Sequence, residues 1–294
     1  MGDGGVLTLG ALDDAVNLTV EYQADGEGVL AIDGDDTTID ISDDLYGIFY
    51  EDINYAADGG LYAELVRNRS FEFSSADNAS FTGMTAWEAV ARGGAAVPTA
   101  SVVTDSNRLN DTNRYYLRLA STGAGAGIRN ASYNSGVAVE AGAKYDFSVW
   151  ARTTQAQTLT VQVENAAGTS VVATGTVDVD GSDTWKQYAV TLTATDTTDA
   201  GRLAVLTGAA GTVRLDMVSL FPQDTWVGAV NGKSVLRKDL AEKIAALDPS
   251  FVRFPGGCVT NVGTFKSYEE SGYVDRKRTY QWKETIGPVE KRAT

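Results

Sequence analysis

Tyr145-Asp-Phe-Ser-Val-Trp-Ala-Arg152, Thr158-Leu-Thr-Val-Gln-Val163 and Val171-Val-Ala-Thr-Gly-Thr-Val177 follow one another closely, rich in Val, Thr and aromatic residues and parted by turn formers. Tyr115–Leu119, Ala126–Asn130, Lys186–Thr193, Arg202–Thr207 and Thr212–Ser219 continue the pattern on both sides. Short strands at regular spacing, with Gly, Asn and Asp turns and no helix between them, predict a β-sandwich of jelly-roll type over about residues 72–222.

Outside this block the texture changes. Near the N-terminus Val16, Leu18, Val20 and Tyr22 alternate with Asn17, Thr19 and Glu21, which predicts a half-buried strand; a second is expected at Thr38–Ile41, beyond the turn-rich Ala24–Asp36. Leu45-Tyr-Gly-Ile-Phe-Tyr-Glu-Asp-Ile53 is nearly continuous apolar sequence that stops at a carboxylate pair, as in a strand buried on both faces. Leu61, Leu65 and Asn68 behind Asp58 predict a short capped helix. Beyond Pro222, Leu236, Leu240, Ile244 and Leu247 mark an amphipathic helix closed by Asp248-Pro249, and Phe251–Phe254 a short buried strand ending in Pro255-Gly256-Gly257-Cys258. Helix followed by strand is the repeating step of an α/β barrel or doubly wound sheet. The expected fold class is therefore α/β plus all-β, a (β/α)₈ barrel interrupted by the sandwich. Such a barrel takes about 250 residues, and the residues from 223 onward suffice for roughly two βα steps. Either the barrel is incomplete here, the chain being a fragment, or the α/β reading fails.

Composition narrows the chemistry. With 24 basic and 39 acidic residues the net charge is −15, which disfavours a nucleic-acid or anionic-membrane partner. Histidine is absent, so imidazole-based triads and His-ligated zinc are excluded, and carboxylates remain for acid–base work. The lone Cys258 forbids an internal disulfide. No apolar run is long enough to span a bilayer, and the first residues do not read as a signal peptide.

The candidate sites follow from the strand ends. Glu51-Asp52 closes the first apolar strand, where barrel enzymes place reactive groups; capping of a strand end is the bland alternative. Arg253 closes the second and could hold Glu51 ionised or orient a sugar hydroxyl, while Gly256-Gly257 would let backbone approach a ligand or simply turn. Nothing marks Cys258 as a nucleophile. Among the sandwich aromatics (Trp87, Tyr115, Tyr116, Tyr133, Tyr145, Trp150, Trp185, Tyr188) core packing competes with a glycan platform, and Trp150, out of phase with Phe147, has an ambiguous facing. Glu72 and Asp216, near the two ends of the sandwich, could share a structural Ca²⁺. Gly123–Gly127 lacks the Lys-Ser/Thr of a phosphate loop.

Ile41–Glu72, with its Leu-Tyr-Gly-Ile-Phe-Tyr-Glu-Asp-Ile core, resembles the N-terminal region of α-L-arabinofuranosidases of glycoside hydrolase family fifty-one. Phe251-Val-Arg-Phe-Pro-Gly-Gly-Cys258 and Tyr280-Gln-Trp-Lys-Glu-Thr-Ile-Gly-Pro-Val-Glu290 look like that family's next two landmarks, in order. Gly136–Arg152 and Leu215–Pro222 are more loosely similar to CenC-type carbohydrate-binding modules. The resemblance implies that residues 1–44 give strands to an accessory β-sandwich, 45–71 and 223–294 belong to a catalytic barrel, and 72–222 are an inserted module. It implies a retaining enzyme, with two glutamates in the roles of acid/base and nucleophile, removing terminal arabinofuranosyl groups from arabinoxylan and arabinan. Both glutamates are expected beyond Ile286-Gly287-Pro288 and so outside this chain, which is expected to be inactive alone. Glu51 matches a glutamate that accepts hydrogen bonds from furanose hydroxyls, Cys258 a residue lining the arabinose pocket, and Arg253 a supporting arginine. The loop from Val259 to Arg278 is longer than this pattern expects. No catalytic cofactor is implied; an extracellular or cell-surface location suits a polysaccharide substrate, with the cytoplasm as the alternative. Two other readings stand beside this one: a non-catalytic protein whose sandwich binds plant polysaccharide, and a sandwich that only packs against the barrel.

Overall fold

A computed structural model describes residues 42–51, 55–75, 78–257 and 286–292, and the backbone of 17–22 and 28–33. The chain forms two compact units, Met1–Phe49 with Asp248–Arg253, and Tyr50–Leu247 with Phe254–Thr294.

In the first unit, β1 (Asn17–Tyr22) and β2 (Gly28–Asp33) pair antiparallel with Asn17 opposite Asp33 and Tyr22 opposite Gly28. The second strand thus occupies the stretch expected to be turn: Val29-Leu-Ala-Ile32 is apolar, and the flanking Gly and Asp residues concealed it. Thr38–Ile41 lies outside the described residues. After a single 3-10 turn, Asp43–Leu45, capped by Ser42 Oγ accepting from Asp44 N at 3.2 Å, comes β3 (Gly47–Phe49). It pairs in parallel with β17 (Phe251–Arg253), Phe251 opposite Gly47 and Arg253 opposite Phe49. Gly47 permits this approach, because a Cβ there would lie 2.4 Å from the Phe251 ring. Both strands were expected to be buried; instead Phe49, Phe251 and Val252 are each about half exposed. Their apolar composition reports what the strands are built to bury, and in this unit no described layer covers them.

The second unit is dominated by the sandwich. One sheet runs in the order β11 (Val171–Val179), β10 (Gln157–Glu164), β13 (Thr198–Thr207), β7 (Ala126–Asn130), β4 (Trp87–Ala91), with β8 (Val137–Val139) beside β13. The other runs β12 (Lys186–Thr193), β9 (Lys144–Thr153), β14 (Gly211–Pro222), β6 (Tyr116–Ser121), β5 (Thr99–Val103). All of these pairings are antiparallel. The predicted alternation holds on β9, where Tyr145, Phe147, Val149 and Ala151 are buried and Asp146, Ser148, Trp150 and Arg152 face outward. Leu117, Ile128, Phe147, Leu159, Leu203 and Leu215 expose no surface between the sheets, and burying each contributes about 1.5–3 kcal/mol.

Val66 and Phe71 join this core, so the sandwich reaches upstream of the expected boundary at 72. The helix expected at 61–68 is absent. Its backbone donors and acceptors are taken by other strands: Ala63 N donates to Val235 O, Leu65 N to Leu220 O, and Leu61 O accepts from Arg237 N. Positive φ at Asn68 and Phe71, 55° and 60°, then turns the chain. After the sandwich come the hairpin β15 (Thr225–Gly228) and β16 (Gly232–Arg237) and the expected helix, α1 (Lys238–Ala245), two residues shorter at each end than the apolar spacing suggested.

Candidate functional site

Glu51 stands two residues beyond β3. Its Oε1 accepts a hydrogen bond from Gly257 N at 3.0 Å, so the two sequence landmarks meet through a carboxylate and a backbone amide. Among the described residues, Oε2 is left to accept from elsewhere. Gly256 makes the contact feasible: its φ is +131°, and a Cβ would sit 2.3 Å from Glu51 Cγ. Gly256→Ala is therefore expected to destabilise the chain by about 1–3 kcal/mol, the cost of holding a side chain in such a backbone region. Thermal unfolding reads it, and an unchanged midpoint would show that Glu51 does not rest on this glycine. Tyr50 supports the same corner, its hydroxyl donating to Ala56 O and its ring 5.8 Å from that of Phe254. In the other unit, the Arg253 guanidinium lies 4.9 Å over the Phe49 ring. Asp52 and Cys258 fall outside the described residues.

Two charged residues that sequence reasoning passed over anchor the segment behind Glu51 to the sandwich. Arg67 sits in an aromatic cage, its guanidinium 4.9 Å from Tyr55, 5.4 Å from Phe81, 5.8 Å from Phe73 and 5.9 Å from Tyr133. It also donates to the Tyr55 hydroxyl at 2.7 Å, while its buried Nε has no hydrogen-bond acceptor and faces only ring surface. Glu64 is buried, with Oε1 accepting from Val66 N (3.0 Å) and Leu220 N (2.9 Å) and Oε2 from Ser219 Oγ (2.5 Å) and Arg69 Nη1 (3.5 Å). Burial pushes its carboxyl above the ordinary 4.5 despite the Arg69 charge. For Arg69 burial acts downward and is outweighed by Tyr62 and Glu64, which hold the guanidinium charged. A Glu and an Arg five residues apart in an apolar stretch were the only signal.

Glu72 and Asp216, the pair considered for Ca²⁺, are close enough for the charge of Glu72 to act on Asp216. Asp216 is fully buried at a bulge in β14; its Oδ1 accepts from Met217 N at 2.7 Å and its Oδ2 has no hydrogen-bond partner. Burial first, and then the charge of Glu72, push its carboxyl well above the usual range. Glu72 Oε1 accepts from Tyr115 N at 2.7 Å. An orphaned buried carboxylate oxygen is a donor of the kind a hard cation takes, although no group of three or more acidic, Cys or His side chains gathers among the described residues.

The register settles Trp150. It points out of the sandwich, opposite Gln187 on β12 and Asp216 on β14, with Ser148 one pair along opposite Ala189 and Ser219. Most of the other aromatics are core: Trp87, Tyr116, Tyr133 and Tyr145 are buried, and Tyr115 is exposed.

Residues 63–212 match a family described as carbohydrate binding domain. The chain is 56% identical over 254 residues to an extracellular exo-α-L-arabinofuranosidase of Streptomyces chartreusis, a match covering 86% of this chain and 29% of that enzyme. It is 32% identical over 261 residues to α-L-arabinofuranosidase 1 of Arabidopsis thaliana, covering 86% and 35%. The solved structure of an arabinose-bound family fifty-one α-L-arabinofuranosidase superposes with a TM-score of 0.69 at 29% identity, over 85% of this chain and 38% of that one. The chain thus spans about a third of the length of the relatives it matches.

Proposed function

The chain belongs to the carbohydrate-binding-domain family through residues 63–212 and is homologous to family fifty-one α-L-arabinofuranosidases, and from that premise we propose that it supplies the substrate-binding half of such an enzyme. The substrates are arabinoxylan, arabinan and their oligosaccharides, from which terminal arabinofuranosyl groups are removed with retention. In this reading β3 and β17 are neighbouring strands of the catalytic barrel, of which 45–62 and 223–294 are parts, the sandwich taking over from residue 63, and residues 1–44 serve an accessory sandwich. The parallel pairing and the exposed apolar faces of those two strands support it. The carbohydrate-binding sandwich, whose core takes in Val66 and Phe71, interrupts the barrel. The extracellular relative supports action outside the cell, and no helix among the described residues is long and apolar enough to cross a membrane.

One observation carries the site assignment: Glu51 is fixed by Gly257 N through one oxygen and offers the other. A carboxylate held this way accepts hydrogen bonds from sugar hydroxyls, and charge-assisted bonds of this kind are the strong ones. Arg253 and Cys258 keep the supporting and pocket-lining roles that the resemblance implies, and the two catalytic glutamates are assigned to later strands. The pure 294-residue chain is therefore expected to release no arabinose from an aryl α-L-arabinofuranoside, and clear turnover sinks the assignment. It is expected to bind L-arabinose weakly, with Glu51→Gln lowering affinity about tenfold, as loss of one charge-assisted hydrogen bond of about 1.5–3 kcal/mol implies. Equal affinity by calorimetry would remove Glu51 from the site. We further propose that Asp216 and Glu72 hold a structural Ca²⁺, which would neutralise a buried carboxylate at the sandwich edge and take no part in hydrolysis.

A further inference from the structure

Ser148, Trp150 and Ser219 on the outer face of the β12-β9-β14-β6-β5 sheet, with Gln187 at its edge, line a cavity of about 210 Å³. An open cleft on a sheet lets a polysaccharide chain run across it. Here the opposite wall is made by the same chain: Tyr62, Val235 and the Val289-Glu290 segment stand over the sheet. That segment is tied down through its backbone, Glu290 O accepting from Asn110 Nδ2 at 2.5 Å and from the buried Asn113 Nδ2 at 3.0 Å, and Arg292 O accepting from Asn113 Nδ2 at 2.9 Å.

Ser219 Oγ and Arg69 Nη1 at one wall of the cavity are committed to Glu64 and, for Arg69, to the Tyr62 hydroxyl, but three other polar groups are not. Among the described residues the Trp150 indole N–H, the Ser148 hydroxyl and the Gln187 amide have no hydrogen-bond partner, and the Trp150 ring packs on no other ring. An aromatic face flanked by converging, unsatisfied hydroxyl and amide groups is the composition of a small polar-ligand site. Its volume lies below the about 300–1,000 Å³ that takes drug-sized ligands. It has room for a single sugar ring.

We propose that this cavity binds one neutral monosaccharide ring, free or at the end of a chain, with the apolar face of the ring on Trp150 and its hydroxyls on Ser148, Gln187 and the Glu290 carboxylate. The site is composite, since Tyr62, Val235 and Glu290 come from outside the sandwich, and the walls they form stop a chain from continuing in both directions. This rests on the carbohydrate-binding reading of the sandwich and names its ligand as a chain end. It is separate from the Glu51 half-site.

Titration of the full chain carrying Glu51→Gln, which silences the strand-end site, with L-arabinose and D-xylose tests the idea by calorimetry and tryptophan fluorescence. At least one sugar is expected to bind saturably with a dissociation constant on the order of millimolar, and both Trp150→Ala and Gln187→Ala are expected to weaken it about tenfold or more. Gln187 is exposed, so its replacement leaves folding intact if Trp150→Ala does not. Saturable binding untouched by either substitution, or no binding of any free sugar, overturns the pocket. Arabinoxylan binding that survives Trp150→Ala overturns the pocket but leaves the sandwich a carbohydrate binder; loss of all binding to mono- and polysaccharide in the unsubstituted chain overturns both.

Discussion

Glu64→Ala is expected to lower stability by about 3–5 kcal/mol, the range for breaking a buried charge pair from one side, and to drop the thermal midpoint by on the order of 10 °C. The substitution strands three groups at once, Val66 N, Leu220 N and Ser219 Oγ, and takes the carboxylate partner from the largely buried Arg69 guanidinium, which keeps only the Tyr62 hydroxyl. Glu64→Gln keeps the oxygen that serves the two backbone amides and should cost about 1–3 kcal/mol, since only the face toward Ser219 and Arg69 changes. The pH dependence separates charge from shape. Because burial raises the Glu64 carboxyl above its ordinary 4.5, the folded chain holds that proton more tightly than the unfolded one. Its contribution is then fully present below about pH 4.5 and declines as pH rises through the folded value. Glu64→Gln, which does not titrate, should flatten this decline. A Glu64→Ala midpoint within a degree of the parent would mean that the residues flanking Glu51 are not anchored to the sandwich through this network.

The anchoring explains why part of the structure was hidden from sequence reading. The strands of the sandwich were legible because each carries its own alternation: on β9 the buried Tyr145, Phe147, Val149 and Ala151 announce themselves without reference to any partner. Residues 61–68 do not. Leu61 and Leu65 have helical spacing, but the segment is held extended by Val235, Leu220 and Arg237, more than 150 residues away in sequence, and no local pattern encodes partners at that distance. Trp150 shows the same limit in reverse. Phe147 fixes its facing only once β9 is known to run unbroken from Lys144 to Thr153, with Gln187 and Asp216 opposite.

At the strand-end site, the two landmarks could be read as motifs, but a carboxylate meeting a backbone amide 206 residues on, Glu51 Oε1 with Gly257 N, could not. The aromatic cage around Arg67 could not be read. Tyr55, Phe73, Phe81 and Tyr133 converge from four separate turns, and a single arginine between Val66 and Asn68 carries no sign of them. Charge placed in that cage ties Tyr55 to the sandwich segment that carries Arg67, Phe73, Phe81 and Tyr133.

Calcium should make the second large difference. Asp216 is buried with one oxygen orphaned and within reach of the charge of Glu72, and ionising a carboxylate so buried is unfavourable by several kcal/mol unless a cation joins it. Without the ion, Asp216 meets that cost by staying protonated, the direction in which burial and Glu72 both push it. With the ion bound, the cost becomes a gain. Calcium at about 100 to 1,000 times its dissociation constant adds about 2.7–4.1 kcal/mol to the folded state, seen as a rise of several degrees in the unfolding midpoint of chelator-treated protein on adding the ion back. Mg²⁺ should substitute poorly, because it demands tight octahedral geometry and gives up its waters reluctantly, whereas a bulged strand offers irregular oxygens. Asp216→Asn should remove the calcium response while leaving a folded protein, for the orphaned oxygen is replaced by a group that needs no cation. Identical midpoints with calcium and with chelator would show that Asp216 is simply a protonated core residue, and that the bulge at Met217 serves the packing of β14 alone.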